Sequence, residues 1–134
     1  MNRKRLLKHL LFLMFFIFIV DFLAKIFFWY SLIWYLDIIM HFLGGFWVGL
    51  FFFYIFSLKN INFRPIDLFF KIFLSTLAVG ILFEFYEFFL NIISVTNFDL
   101  FDTLSDVFFD ILGALFSMFY FFKIIMTSSS NEVE

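Results

Sequence analysis

Residues 34–57 read WYLDIIMHFLGGFWVGLFFFYIFS. A helix needs about 20 mostly apolar residues to cross a bilayer, and this run supplies them. It also carries Asp37 and His41, four residues apart, and the glycines Gly44, Gly45 and Gly49. An Asp at the centre of a membrane helix costs about 2.5–3.5 kcal/mol on insertion scales. Such a segment has to turn its polar face toward other helices, because lipid cannot satisfy it. The stretch therefore predicts a polytopic bundle rather than a single anchor.

The rest of the chain agrees. Of its 134 residues, 65% are hydrophobic, 29 are Phe and 15% are charged, with a mean hydropathy of +1.07. Soluble domains are nearer about 45–50% apolar and 25% charged. Three further segments are long and apolar enough to span: Leu10 to Tyr30, Leu68 to Ile93 and Thr103 to Met126. The fold class expected is all-α, a four-transmembrane-helix bundle built from about 10–30, 34–57, 68–93 and 103–126. The first segment follows the basic run Arg3-Lys4-Arg5, as a signal peptide would. It is long, carries Asp21 near its end and lacks a small-x-small cleavage pattern, so it reads as an uncleaved helix. The last residues, 127–134, are polar and read as a disordered tail.

Positive charge sets the expected orientation. Arg3, Lys4, Arg5 and Lys8 precede the first segment, Lys59 and Arg64 lie between the second and third, and Lys123 ends the fourth. The connections at 30–33 and 94–101 contain no Lys or Arg. Both termini are therefore expected in the cytoplasm, in a multi-pass protein of the cytoplasmic membrane. Trp29, Tyr30, Trp34 and Tyr35 then form an outer interfacial belt. A net charge of −2 argues against nucleic-acid partners, and a chain without Cys has neither disulfides nor thiolate metal sites. The bilayer is the expected partner.

That topology gathers the polar residues at one depth. Asp37 and His41 open the second helix, Glu84 and Glu87 end the third, and Asp102, Asp106 and Asp110 open the fourth. Asp21 and Lys25 lie at the end of the first. Residues three or four apart share a helix face, so Gly80 and Asn91 extend the glutamate stripe, and Gly113 and Ser117 the aspartate one. The Gly45/Gly49 spacing suits close helix packing, as does Gly113-Ala114. Asp99 reads as solvated loop, and Asp102 as either a helix cap or a site member. Asp67 reads as the start of the third helix.

Five carboxylates, Asp37, Glu84, Glu87, Asp106 and Asp110, thus face one imidazole, His41. Ion pairing cannot neutralise that set, so either several of the acids stay protonated or a cation sits among them. Acids with one His suit Mg²⁺, Mn²⁺ or Zn²⁺, so these six residues are the candidate metal ligands. The chemistry expected of such a site is metal-assisted hydrolysis or transfer on a lipid-linked substrate. A proton or ion conductor using the same acids, and a structural or partner-binding bundle with a register-fixing polar network, are the alternatives.

Three pieces carry a resemblance: Asp37-Ile38-Ile39-Met40-His41-Phe42-Leu43-Gly44-Gly45, Glu84-Phe85-Tyr86-Glu87, and Asp102-Thr103-Leu104-Ser105-Asp106 followed by Leu112-Gly113-Ala114. In order and spacing they resemble the D-x-x-x-H-F, E-x-x-E and D-T-x-x-D motifs of YjdF-like small bacterial membrane proteins, and distantly those of VanZ-like proteins. The resemblance covers about Trp34 to Ser117 and implies an integral membrane protein without an established activity. Glu87 and Asp110 stand where VanZ-like proteins tend to have Gln and Asn.

Overall fold

A computed structural model of the protein describes residues 3–58, 64–94 and 99–126. The loop around Lys59, the connection 95–98, the tail 127–134 and the side chain of Asn91 lie outside the described residues. Four long helices dominate: α1 (Arg3–Ile26), α3 (Leu36–Leu58), α4 (Pro65–Ser94) and α5 (Leu100–Tyr120). A single turn, α2 (Trp29–Leu32), joins α1 to α3, and a π-helical stretch, Phe121–Met126, extends α5. Each long helix contains a span apolar enough to cross a membrane, and the protein is a multi-pass membrane protein.

The helix ends have local causes. Phe28 takes a left-handed conformation, φ 55°, which stops α1 before the expected Tyr30 and starts the α2 turn. Pro65 begins α4 where its missing N–H costs nothing, and Arg64 closes on Asp67 at 3.0 Å. Asp99 is a correction to the sequence reading. Its carboxylate accepts from the Phe101 N–H at 2.9 Å, so it is the N-cap of α5 rather than free loop.

α3 and α5 form the central pair, α4 packs on both, and α1 packs on α3. The pairing of α3 with α5 depends on missing side chains. A Cβ on Gly45 would collide with the Asp110 carbonyl, and one on Gly113 with the Phe42 carbonyl and the Phe46 amide. The two backbones touch there, as small residues permit in membrane helices. α5 turns Asp106, Asp110, Gly113, Ala114 and Ser117 inward and leaves Phe101, Phe108, Phe116 and Phe119 exposed. This inverts the pattern of a soluble amphipathic helix and suits lipid outside.

The half of the bundle away from α2 has an apolar core. Leu6, Leu10, Leu50, Phe53, Ile72, Met118 and Phe121 form one buried cluster, with Phe53 and Phe121 stacked at 4.1 Å. Trp47 Nε1 donates to the Leu10 carbonyl at 3.0 Å and ties α3 to α1. His9 Nδ1 and the Tyr120 hydroxyl meet at 2.8 Å beside this cluster. The polar residues of interest lie in the other half.

Candidate metal centre

His41 is the hub. It sits one turn into α3, is 7% exposed, and packs edge-on against Phe83 of α4 at 5.7 Å. Its Nε2 lies 3.7 Å from Asp106 Oδ2 and 3.9 Å from Asp37 Oδ1. Its Nδ1 lies 3.5 Å from Asp110 Oδ1. These separations exceed the 2.7–3.2 Å usual for a hydrogen bond to nitrogen. The carboxylates face the ring without closing on it. The close Gly45–Gly113 packing makes this geometry possible, because it sets the α3 and α5 backbones against one another one turn from His41. Gly80 of α4 provides the room for Asp110: a Cβ there would lie 2.8 Å from Asp110 Oδ2.

Around that hub, His41, Glu84, Glu87 and Asp106 each present one donor atom, all within 4.8 Å of one another. They come from α3, α4 and α5. Donors on a single Mg²⁺ or Zn²⁺ ion lie about 3–4.4 Å apart at bond lengths near 2.0–2.2 Å, so a small closure would bring these four to that spacing. Glu84 Oε1 is an independent sign. The residue is 9% exposed, and this oxygen is buried without a hydrogen-bond partner among the described residues. A buried polar atom left unpaired costs about 1–3 kcal/mol. The donor set of carboxylates and one imidazole fits a hard or borderline dication.

Asp37, Asp102 and Asp106 form a second close set, again within 4.8 Å. Asp102, undecided from sequence, therefore belongs with the acids. Unlike Asp106, which is 2% exposed, Asp37 and Asp102 lie toward the surface. Asp110 belongs to neither donor set and instead backs the far nitrogen of His41. Asp21 is also spoken for. It accepts from Lys25 Nζ at 2.7 Å and from the Tyr30 hydroxyl at 2.8 Å. Burial, then the hydrogen bond to Asp21, pushes the Tyr30 hydroxyl above its ordinary pKa. Lys25 therefore does not neutralise the cluster.

A cleft of about 1030 Å³ opens on these residues. Met14, Ile17, Phe18, Asp21 and Lys25 of α1 form one wall, and Val79, Phe83 and Tyr86 of α4 the other. α1 leans on α3 and barely touches α4, so the cleft opens sideways between them. Of the four close donors, His41 and Glu87 line it. Thr76 lines its deep end, and the buried Thr76 Oγ1 has no hydrogen-bond partner among the described residues. The sequence reading missed Thr76, although Thr76, Gly80 and Glu84 share one helix face.

A family model described as a predicted membrane protein (DUF2238) matches residues 1–127. It agrees with the YjdF-like resemblance of the three motifs. No curated protein and no solved structure matches the chain. With the match spanning nearly its whole length, the chain belongs to the DUF2238 family of membrane proteins.

Proposed function

We propose that the protein binds one divalent cation, Mg²⁺, Mn²⁺ or Zn²⁺, through His41, Glu84, Glu87 and Asp106, and uses it in hydrolysis or group transfer on a lipid-linked substrate. The observation that carries this reading is the four-donor set from three helices, in which Glu84 keeps a buried oxygen unpaired among the described residues. A bound dication would supply Lewis acidity and a water acidic enough to ionise near neutral pH. The protein's own groups supply the rest. Asp110 holds the His41 ring from behind, as carboxylates commonly do for metal-binding imidazoles. Glu84 and Asp106 stay on the buried side and carry charge. Glu87, which lines the cleft, would hold the ion on the side from which a substrate enters. With the basic end of the bundle in the cytoplasm, the site lies in the outer half of the membrane.

The conductor reading is weaker. The acids occupy one half of the bundle, and the apolar cluster around Leu50 and Phe53 fills the other. The distant VanZ-like resemblance remains a likeness of motif and adds no step.

Metal analysis of the purified protein tests the centre. Wild type should retain about one Mn²⁺ or Zn²⁺ per chain. A dication at 100 times its Kd stabilises the fold by about 2.7 kcal/mol, so chelator should lower the melting temperature and added metal restore it. Glu84→Gln and Asp106→Asn should lose both metal and response. Headgroup release from a bacterial lipid extract, by wild type and not by Asp106→Asn, tests the reaction. Chelator-insensitive stability together with a metal-free wild type would refute the reading.

A further inference from the structure

The lateral cleft has the polarity profile of a lipid. Along α1 its wall runs from Lys25 down to Met14, about 16 Å at 1.5 Å per residue. One leaflet's share of the hydrocarbon core is about 15 Å. Below the mouth the lining is apolar apart from Asp110 and Thr76, with Met14, Ile17, Phe18, Val48 and Val79. The mouth is acidic and aromatic, with Asp37, Asp102 and Glu87 beside Tyr30, Trp34 and Tyr86. Among the described residues Lys25 is the only Lys or Arg lining the cleft, and Asp21 holds it at 2.7 Å. The mouth therefore repels a purely anionic headgroup and attracts a cation. Aromatic rings beside carboxylates are the usual surroundings of a bound ammonium.

We propose that this cleft seats a zwitterionic aminophospholipid of the outer leaflet, its chain lying between α1 and α4 and its ammonium between Asp37 and Asp102. The proposal rests on the lipid-substrate reading above and names its substrate class. It does not need the metal. Asp37, 42% exposed at its side chain, and Asp102, also exposed, form the solvent side of the acid cluster, where a headgroup can reach them. Phosphate, one ethylene unit from the ammonium, then falls on the His41–Glu87 side, where a bound dication would meet it.

The test reconstitutes the full chain in vesicles of equal phosphatidylethanolamine and phosphatidylglycerol. Gentle extraction and native mass spectrometry then count the lipid that stays bound. Phosphatidylethanolamine should be enriched about fivefold over the bulk ratio, the effect of one cation–aromatic contact. The double variant Asp37→Asn/Asp102→Asn should return the bound ratio to bulk. Val79→Trp, which fills the cleft, should shed bound lipid of both kinds while keeping its Mn²⁺. If Val79→Trp does not fold, Ile17→Trp on the facing wall makes the same test. Glu84→Gln separates the two readings: it should lose metal and keep the enrichment. A bound ratio equal to bulk, enrichment of phosphatidylglycerol, or full lipid retention in both Trp variants would overturn the proposal. So would two Mn²⁺ per chain without enrichment, because Asp37 and Asp102 would then belong to a second cation.

Discussion

Gly44 and Gly45 are neighbours on α3, and the same substitution at each should move stability in opposite directions. A methyl on Gly44 would meet nothing closer than Asp110 Oδ1 at 3.9 Å, an ordinary contact. Gly44→Ala should then gain the helix propensity of Ala over Gly, about 0.5–1 kcal/mol. A methyl on Gly45 would run into the Asp110 backbone. The obstacle is a carbonyl in mid-helix rather than the end of a flexible side chain, so α3 and α5 would have to move apart. Overpacking of a tight contact costs about 1–3 kcal/mol, and a rigid obstacle puts this case at the upper end. After the helix gain is subtracted, Gly45→Ala should lose about 2 kcal/mol. The two variants should differ by about 2.5–3 kcal/mol. Thermal melts in one detergent, or reversible unfolding in mixed micelles, would resolve that difference. Gly45→Ala should also weaken metal retention, because parting α3 from α5 separates His41 from Asp106. If the two variants melt together, the Gly45–Gly113 crossing does not set the distance between the site helices, and this account of the site's assembly fails.

Asp110→Asn should keep the metal stoichiometry and weaken affinity about 10–100-fold, measured by competition with a chelator, because only the support of the His41 ring changes; complete loss of metal would make Asp110 a direct ligand. Reporter fusions within 59–63 and after residue 126 should read cytoplasmic, and one near Thr96 external, from the placement of Lys and Arg; a cytoplasmic reading at Thr96 would move the acid cluster to the inner leaflet.

Much of this arrangement was legible because lipid simplifies the rules. A long Phe- and Leu-rich run has few ways to exist in a membrane, so the four spans and their order followed from composition. Asp37 and His41, Glu84 and Glu87, and Asp106 and Asp110 could be grouped because helical spacing fixes a face and span order fixes a depth. Spacing could not resolve roles within the group. Asp110 and Asp106 are one turn apart on one face, yet they address opposite nitrogens of His41. That division depends on the rotation of α5 against α3, which the Gly45–Gly113 contact sets in three dimensions. The cap at Asp99 is hidden in the sequence for a related reason. Asp99 and Asp102 both precede an apolar run, and only the backbone shows which one turns its carboxylate onto an amide. The lateral cleft was invisible in sequence, because it arises from α1 leaning on α3 instead of α4.

The inverted face of α5 has a consequence for how the chain enters the membrane. Asp102, Asp106 and Asp110 put three carboxylates into its first half, and its span has the lowest hydropathy of the four, 1.5. Leaving the translocon alone, such a segment would meet the full insertion penalty of each acid, and its Phe residues would offset only part of that. The partners that relieve the penalty, His41 on α3 and the small-residue face around Gly45, are synthesised earlier. α3 and α4 precede α5 in the chain, so these partners are made before the span that needs them. The residues that form the site therefore also bear on how readily the last span settles in the membrane.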